Sequence, residues 1–388
     1  MGRKRRVAIM IGLEWPVGHH YQVFAGIQRY AQTCGQWECL INPYVDLLFS
    51  KANRPIDLDG IVARATANLV TATKKAGIPV VNVWHNSPTI GDVPSVCHDA
   101  KASGRMAARH LIERGFRNFG FIGYDNNTAS QLQLDGFNEV IGTIGFTATT
   151  CHVNQLYDQS AESWQLSQKQ IGTWIKTWQT PIAIFVTSDL LCRYLAEACR
   201  ERGLAIPHQV ALIGASNELI ITNSILPTLT SIDYGFERIG YRAAELLDEI
   251  MNGARPPNEL QRLEPTALVI RQSTDAFVVD DPLVAEALRY ITENLHVGIN
   301  VDKVATHVAT TRRTLSRRFH SSLGQTIHDA ITQLRLERVK RALIDSKDPL
   351  KSVAVASGFR DAIHLCKVFQ RIEGISPSEY RSARTVQH

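Results

Sequence analysis

The 388-residue sequence lacks most of the marks that would make it an enzyme, a membrane protein or a disulfide-stapled domain. No apolar run approaches the ~18 residues of a membrane span. The opening "MGRKRRVAIMIGLEW" briefly imitates a signal peptide, but its apolar run ends at Glu14 and no small-residue cleavage site follows. A binding protein of the transport type, which would need export, is therefore the less favoured alternative. Seven cysteines are scattered without a CxxC pair, which argues against a disulfide framework or a zinc site and for a reducing, cytoplasmic setting. There is no G-x-S-x-G elbow, no H-E-x-x-H and no glycine-rich phosphate loop. The expectation is a protein that is not an enzyme and needs no cofactor or metal. Cys34 and Cys39 read as buried thiols rather than a redox pair, and His19–His20 as loop histidines rather than metal ligands.

The most specific stretch is Val301 to Arg381, an internal repeat. Val304, Ala305, Leu315, Phe319 and Gly324 recur as Val353, Ala354, Leu365, Phe369 and Gly374, offset by 49 before a turn and by 50 after it. Loops tolerate such a one-residue insertion. Leu315/Phe319 and Leu365/Phe369 are i, i+4 pairs that mark buried helix faces. The opposite face of the first helix carries Arg313, Ser316, Arg317 and His320. That of the second carries Ile363, Cys366, Lys367 and Gln370. Thr311 and Asp361 are good N-cap types. A short helix, a turn and a second helix with a polar outer face form a helix-turn-helix, whose second helix suits the major groove. The units are expected at 301–320 and 350–371. Between them Ile327, Ile331, Leu334, Val339, Ala342 and Leu343 predict a connecting helix with one buried stripe, holding the readers a fixed stride apart. Residues 301–388 hold 16 Lys plus Arg against 8 Asp plus Glu, a net of +8. The whole chain is +5, so residues 1–300 net −3. The cationic excess sits where phosphate contact is expected.

The stretches "VATTRRTLSRRFHSSLGQTIHDAITQLRLERVKRAL" and "VAVASGFRDAIHLCKVFQRIEGISPSEYR" resemble the DNA-binding domain of the AraC/XylS family of transcription activators. Gly358–Phe359, Phe369, Gly374, Pro377, Tyr380 and Arg381 fall where that family's signature has them. The resemblance implies promoter binding by Arg312, Arg313, Ser316, Arg317 and His320 of the first unit. In the second unit it implies Ala362, Ile363, Lys367 and Gln370. Ala362 and Ile363 offer apolar contact to thymine methyls and little hydrogen-bond readout.

Residues 1–275 alternate short apolar runs with helical patterns. Strands are expected at 7–12, 37–41, 59–62, 80–84, 118–123, 149–153, 183–187, 210–214 and 230–232. Helices are expected at 20–33, 69–76, 103–114, 132–144, 163–177, 190–202 and 236–251. Such alternation means parallel sheets with helices on both faces, and this much chain favours two lobes. Asp280–Asp281–Pro282 reads as a linker and helix start. Polar and aromatic side chains follow the strand ends: Glu14, Trp15, His19 and Tyr21; Trp84 and His85; Tyr124 and Asp125; Ser188 and Asp189; Ser216, Asn217 and Glu218. Ligands of open α/β sheets bind there. Carboxylates, amides and flat rings suit a small polyhydroxylated ligand.

Residues 5–272 also resemble the periplasmic-binding-protein-like sensor of LacI-type repressors, through "VCHDAKASGRMAARHLIERGFRNFGFIG", "IAIFVTSDLLCRYLAEACRERGLAIPHQVALIGASNE" and "LPTLTSIDYGFERIGYRAAELL". Those repressors carry their reader ahead of the sensor. This chain carries it behind, as xylose-responsive members of the AraC/XylS family do. The resemblance implies a sugar effector, xylose or a related monosaccharide, held by Glu14, Trp15, Tyr124, Asp189, Asn217, Glu218 and Tyr234. Ser216 stands where the contact turn usually has Asp. The domains are expected at 1–275 (sensor) and 276–388 (reader). The expected partners are promoter DNA, the sugar, a second copy of the chain as a homodimer, and RNA polymerase, with no membrane contact.

Overall fold

The computed structural model describes residues 3–13, 18–34, 36–41, 57–155, 160–257, 259–279 and 281–385. Two sheets make two lobes, as the strand–helix alternation predicts. The first lobe is a parallel sheet of order β2-β1-β3-β4, built from β1 (Arg5–Met10), β2 (Trp37–Ile41), β3 (Gly60–Ala63) and β4 (Val80–Asn82). Helices α1 (Gly18–Cys34) and α2 (Ala67–Ala76) connect its strands. The second lobe follows β5 (Val96–His98) and comprises α3 (Ala100–Glu113), β6 (Phe119–Tyr124), α4 (Thr128–Gly142), β7 (Thr149–Val153), α5 (Ala161–Ile175), β8 (Ile182–Val186), α6 (Asp189–Glu201), β9 (Val210–Ala215), the single turn α7 (Leu219–Thr222) and β10 (Thr230–Asp233). The chain then returns to the first lobe as α8 (Phe236–Met251). It closes with β11 (Gln261–Leu263), which pairs with β5, and β12 (Ala267–Val269), the antiparallel edge of the sheet β12-β10-β9-β8-β6-β7.

Strand alternation builds the core. Phe121, Phe185 and Ile213 point into one cluster continuous with Val7, Ile9 and Val62 of the first lobe. Their neighbours Ile122, Ile184, Val186 and Leu212 point to the opposite face, under α5 and α6. Two helix pairs cross so closely that only glycine fits. A Cβ at Gly26 or Gly240 would meet backbone oxygen of the partner helix at 1.9 Å, fixing α1 on α8. A Cβ at Gly104 or Gly136 would do so at 2.0 Å, fixing α3 on α4.

Several helices begin one to four residues before the expected position. Their N-caps, Thr66, Asp99, Asn127, Ser160 and Ser188, each accept a backbone N–H three residues on. Each of these helices opens on a small or polar residue, so apolar periodicity registers late. The strands β5, β11 and β12 were not expected, because three residues are too few to show alternation.

The reader begins with α9 (Pro282–Glu293), capped by Asp281, whose carboxylate also holds Arg318. The first unit is α10 (Val301–His307) and α11 (Arg312–Leu323), and the second is α13 (Leu350–Ala356) and α14 (Ala362–Glu373). Helix α12 (Ile327–Asp345) joins them, and α15 (Pro377–Thr385) packs last. Thr311 and Asp361 cap α11 and α14 as expected. The single stripe expected on α12 is in fact two. Ile327, Ala330, Ile331 and Leu334 belong to the core of the first unit, with Val304, Leu315 and Phe319. Leu336, Val339 and Leu343 belong to that of the second, with Val353, Leu365 and Phe369. At about 100° per residue, the two-residue step from Leu334 to Leu336 swings the stripe to the far side of the helix. The units therefore grip opposite flanks of one rod.

Candidate effector cavity and DNA-reading surface

A cavity of about 200 Å³ lies between the lobes, at the carboxyl ends of the strands. It falls below the ~300–1,000 Å³ of drug-sized sites, as a monosaccharide-sized ligand requires. The first lobe supplies His19 and His20 from α1, Arg64 after β3, and Trp84 and His85 after β4. The second supplies Tyr124, Asn127, Gln133, Thr187, Ser188, Ser216 and Glu218. The crossover segments add His98, Tyr234 and Phe236. Tyr234 accepts from Gln133 Nε2 at 2.7 Å, shares a 3.1 Å hydrogen bond with Ser103, and lies against His98 with ring centres 4.0 Å apart. Burial pushes its hydroxyl up to about 12. Arg64 lies over the Trp84 ring at 4.7 Å.

His20, His85 and His98 are held neutral. Burial, then the neighbouring His19, takes His20 down to about 3, while its Nδ1 meets Gly12 O at 2.8 Å. Burial also lowers His85 and takes His98 well below the ordinary value. Neutral imidazoles donate at one nitrogen and accept at the other, which suits hydroxyl groups. His19 Nδ1 is buried without a hydrogen bond and faces Glu218 Oε1 across the cleft at 3.7 Å. That gap is too long for a direct bond, so both atoms can turn to the hydroxyl groups of a ligand.

The residues expected to hold the ligand divide into three groups. Tyr124, Glu218 and Tyr234 line the cavity. Glu14 and Trp15 lie outside the described residues. Asp189 and Asn217 sit behind the wall. Asp189 is fully buried; it accepts from Ser231 Oγ at 2.5 Å and from Glu218 N at 2.8 Å, and burial raises it to about 8. Asn217 donates to Asp233 at 3.1 Å and accepts from the buried Arg271 at 2.8 Å. Together they hold the turn that presents Glu218. Ser216 (φ 108°) and Asn217 (φ 51°) adopt backbone conformations rare for side-chain-bearing residues. Three consecutive N–H donors pin that turn, Ser216 to Ile232 O, Asn217 to Ser231 Oγ and Glu218 to Asp189. Arg64 and His98, both at strand ends, and Gln133, on a helix, were not singled out from the sequence.

On the reader, Arg312, Arg313, Ser316, Arg317 and His320 are exposed on α11. Arg312 reaches Asp302 at 3.4 Å, while Arg313 and Arg317 make no ion pair among the described residues. On α14, Ile363 is 69% exposed, Lys367 and Gln370 are exposed and Ala362 is half-buried. Both faces are therefore available to a groove.

Residues 108–274 match the periplasmic binding protein-like domain, and residues 304–383 match a helix-turn-helix domain. The xylose operon regulatory protein of Haemophilus influenzae is 26% identical over 367 residues, covering 93% of this chain and 94% of its own. The protein of that name from Escherichia coli K12 is 25% identical over 372 residues, 94% of each. The similarity thus spans sensor and reader together along nearly the full length of this chain. This chain is an AraC-type transcription regulator with a periplasmic-binding-protein-like sensor. The fold of the regulator is that of a solved xylose-binding transcription activator, with a TM-score of 0.62 over 98% of this chain and 99% of the other at 23% identity.

Proposed function

We propose that the regulator is a sugar-responsive activator of a carbohydrate-utilisation operon, with xylose or a related monosaccharide as effector. Its sensor spans 1–275 and its reader 276–388. It acts in the cytoplasm as a homodimer at promoter DNA and engages RNA polymerase there. Tyr124, Glu218 and Tyr234 contact the sugar, together with Glu14 and Trp15, while Asp189 and Asn217 set the position of Glu218. Arg312, Arg313, Ser316, Arg317 and His320 read one major groove; Ala362, Ile363, Lys367 and Gln370 read the next.

The observation that carries this reading is the small cleft, walled by neutral imidazoles, hydroxyls, a carboxylate and flat rings, on the same chain as two exposed reading helices. A transport-type binding protein would have no use for the reader. The sugar acts by binding one arrangement of the lobes better than another. Fluorescence anisotropy of the full chain on its promoter, with and without D-xylose and a panel of pentoses and hexoses, tests it. A DNA affinity that no sugar changes would overturn it. Arg317→Ala is expected to cost about 1–3 kcal/mol of promoter affinity and leave sugar affinity intact.

A further inference from the structure

Helix α3 has one end at the cavity and the other at the reader. It starts directly after His98 and its cap Asp99, and Ser103 in its first turn bonds Tyr234. Its 14 residues span about 21 Å. At its far end Arg114, only 3% exposed, donates to Glu337 on α12 at 2.5 Å and lies 4.0 Å from Asp275 and 4.6 Å from the Phe277 ring. Arg341, one turn beyond Glu337, reaches Asp275 at 3.4 Å.

The segment between sensor and reader runs alongside. Arg271, which grips Asn217 beneath the Glu218 turn, is followed after three residues by Asp275. Thr274 bonds His110 of α3 at 3.1 Å, and Val278 N donates to Arg114 O at 2.8 Å. A Cβ at Gly115 would lie 2.0 Å from Val278 O, so the segment is pressed onto the end of α3. Two lines thus leave the cavity, one from the Tyr234 crossover and one from the Glu218 turn. They converge on Glu337 and Arg341, which lie on the half of α12 that carries the second reading unit. Beside this junction the sensor and reader part around a groove, with Arg105 and Arg109 on one side and Lys340, Glu373 and Tyr380 on the other.

We propose that Arg114 and Asp275 clamp Glu337 and Arg341, and that lobe closure around the sugar reaches the reader through this clamp by shifting α3 and residues 271–278 against α12. The inference rests on the sugar-responsive reading above. It assigns Arg114, Asp275, Glu337 and Arg341 as coupling residues that touch neither sugar nor DNA.

Full-length Glu337→Gln, whose amide fills the same space, is the variant to test. The sugar dissociation constant, read by calorimetry with D-xylose, should stay within about twofold of the parent. The ratio of promoter affinities with and without D-xylose, in the range of about 5–150-fold for typical allosteric coupling, should fall toward one. Reciprocally, promoter DNA should no longer shift sugar affinity. A ratio equal to the parent's overturns the clamp. A parent with no response to any sugar overturns the sugar-responsive reading instead. The clamp is then judged by sugar-free hydrogen exchange: Glu337→Gln should speed exchange across 275–279 and leave α11 unchanged, and unchanged exchange at 275–279 overturns it.

Discussion

Asp189 shows how one residue type at one position can be legible while its role is not. The sequence places a carboxylate after a strand, where ligands bind. The structure turns it inward, with Gly214 so close that a Cβ there would lie 2.3 Å from its Oδ1. At a folded value of about 8 against about 3.9 unfolded, the protonated form is favoured on folding. The protein therefore loses stability from this group as pH rises from about 4 through 8. Asp189→Asn can still present an acceptor to Glu218 N and, like the protonated acid, carries no charge. Its melting temperature is expected to gain on the parent's as pH goes from 5 to 8, with the sugar response retained. Asp189→Ala should lose the response, because the Glu218 N–H then loses its acceptor. A pH-independent gap between parent and Asp189→Asn in thermal melts would contradict this account. Tyr124 and Glu218 were legible because they stand at strand ends, and Tyr234 through the resemblance to LacI-type sensors. Gln133 was not, because burial and its bond to Tyr234 depend on how α4 leans over the cavity.

At the scale of elements, the two reading units share a pattern but not a turn residue. Gly358 (φ 81°) opens the second turn, and Ala309 (φ 49°) occupies the equivalent place in the first. Left-handed backbone costs a non-glycine residue roughly 1–2 kcal/mol. Ala309→Gly is therefore expected to stabilise the reader by about 1 kcal/mol in urea unfolding, the relief of strain exceeding the entropy glycine adds to the unfolded chain. Gly358→Ala should destabilise it by more, since its Cβ would meet Leu295 O at 1.9 Å as well as the strained angle. The repeat, its caps and its inserted residue were all readable from spacing. The two-sided rod was not, because Ile327 to Leu334 and Val339 to Leu343 each keep helical spacing, and only the packed units show that the two runs face opposite flanks.

At the scale of the whole molecule, a ligand that binds only the folded sensor stabilises it by mass action. At a hundredfold excess over its dissociation constant the effector should add about 2.7 kcal/mol. For a domain of this size that is a rise of about 5–10 °C in the sensor's melting temperature. The effective sugar in a thermal-shift panel should do this, and Glu218→Ala should abolish it. An equal shift in both proteins would move the contact away from the turn.

The sequence by itself determined the two-lobed sensor, the doubled reader and their order, because periodicity, capping and charge are local properties written along the chain. The tertiary structure decided which strand-end groups face the cavity, which hold the wall from behind, and where the sensor grips the reader. Those outcomes depend on helix crossings and on pairs such as Arg114 with Glu337, 223 residues apart, which no spacing rule connects.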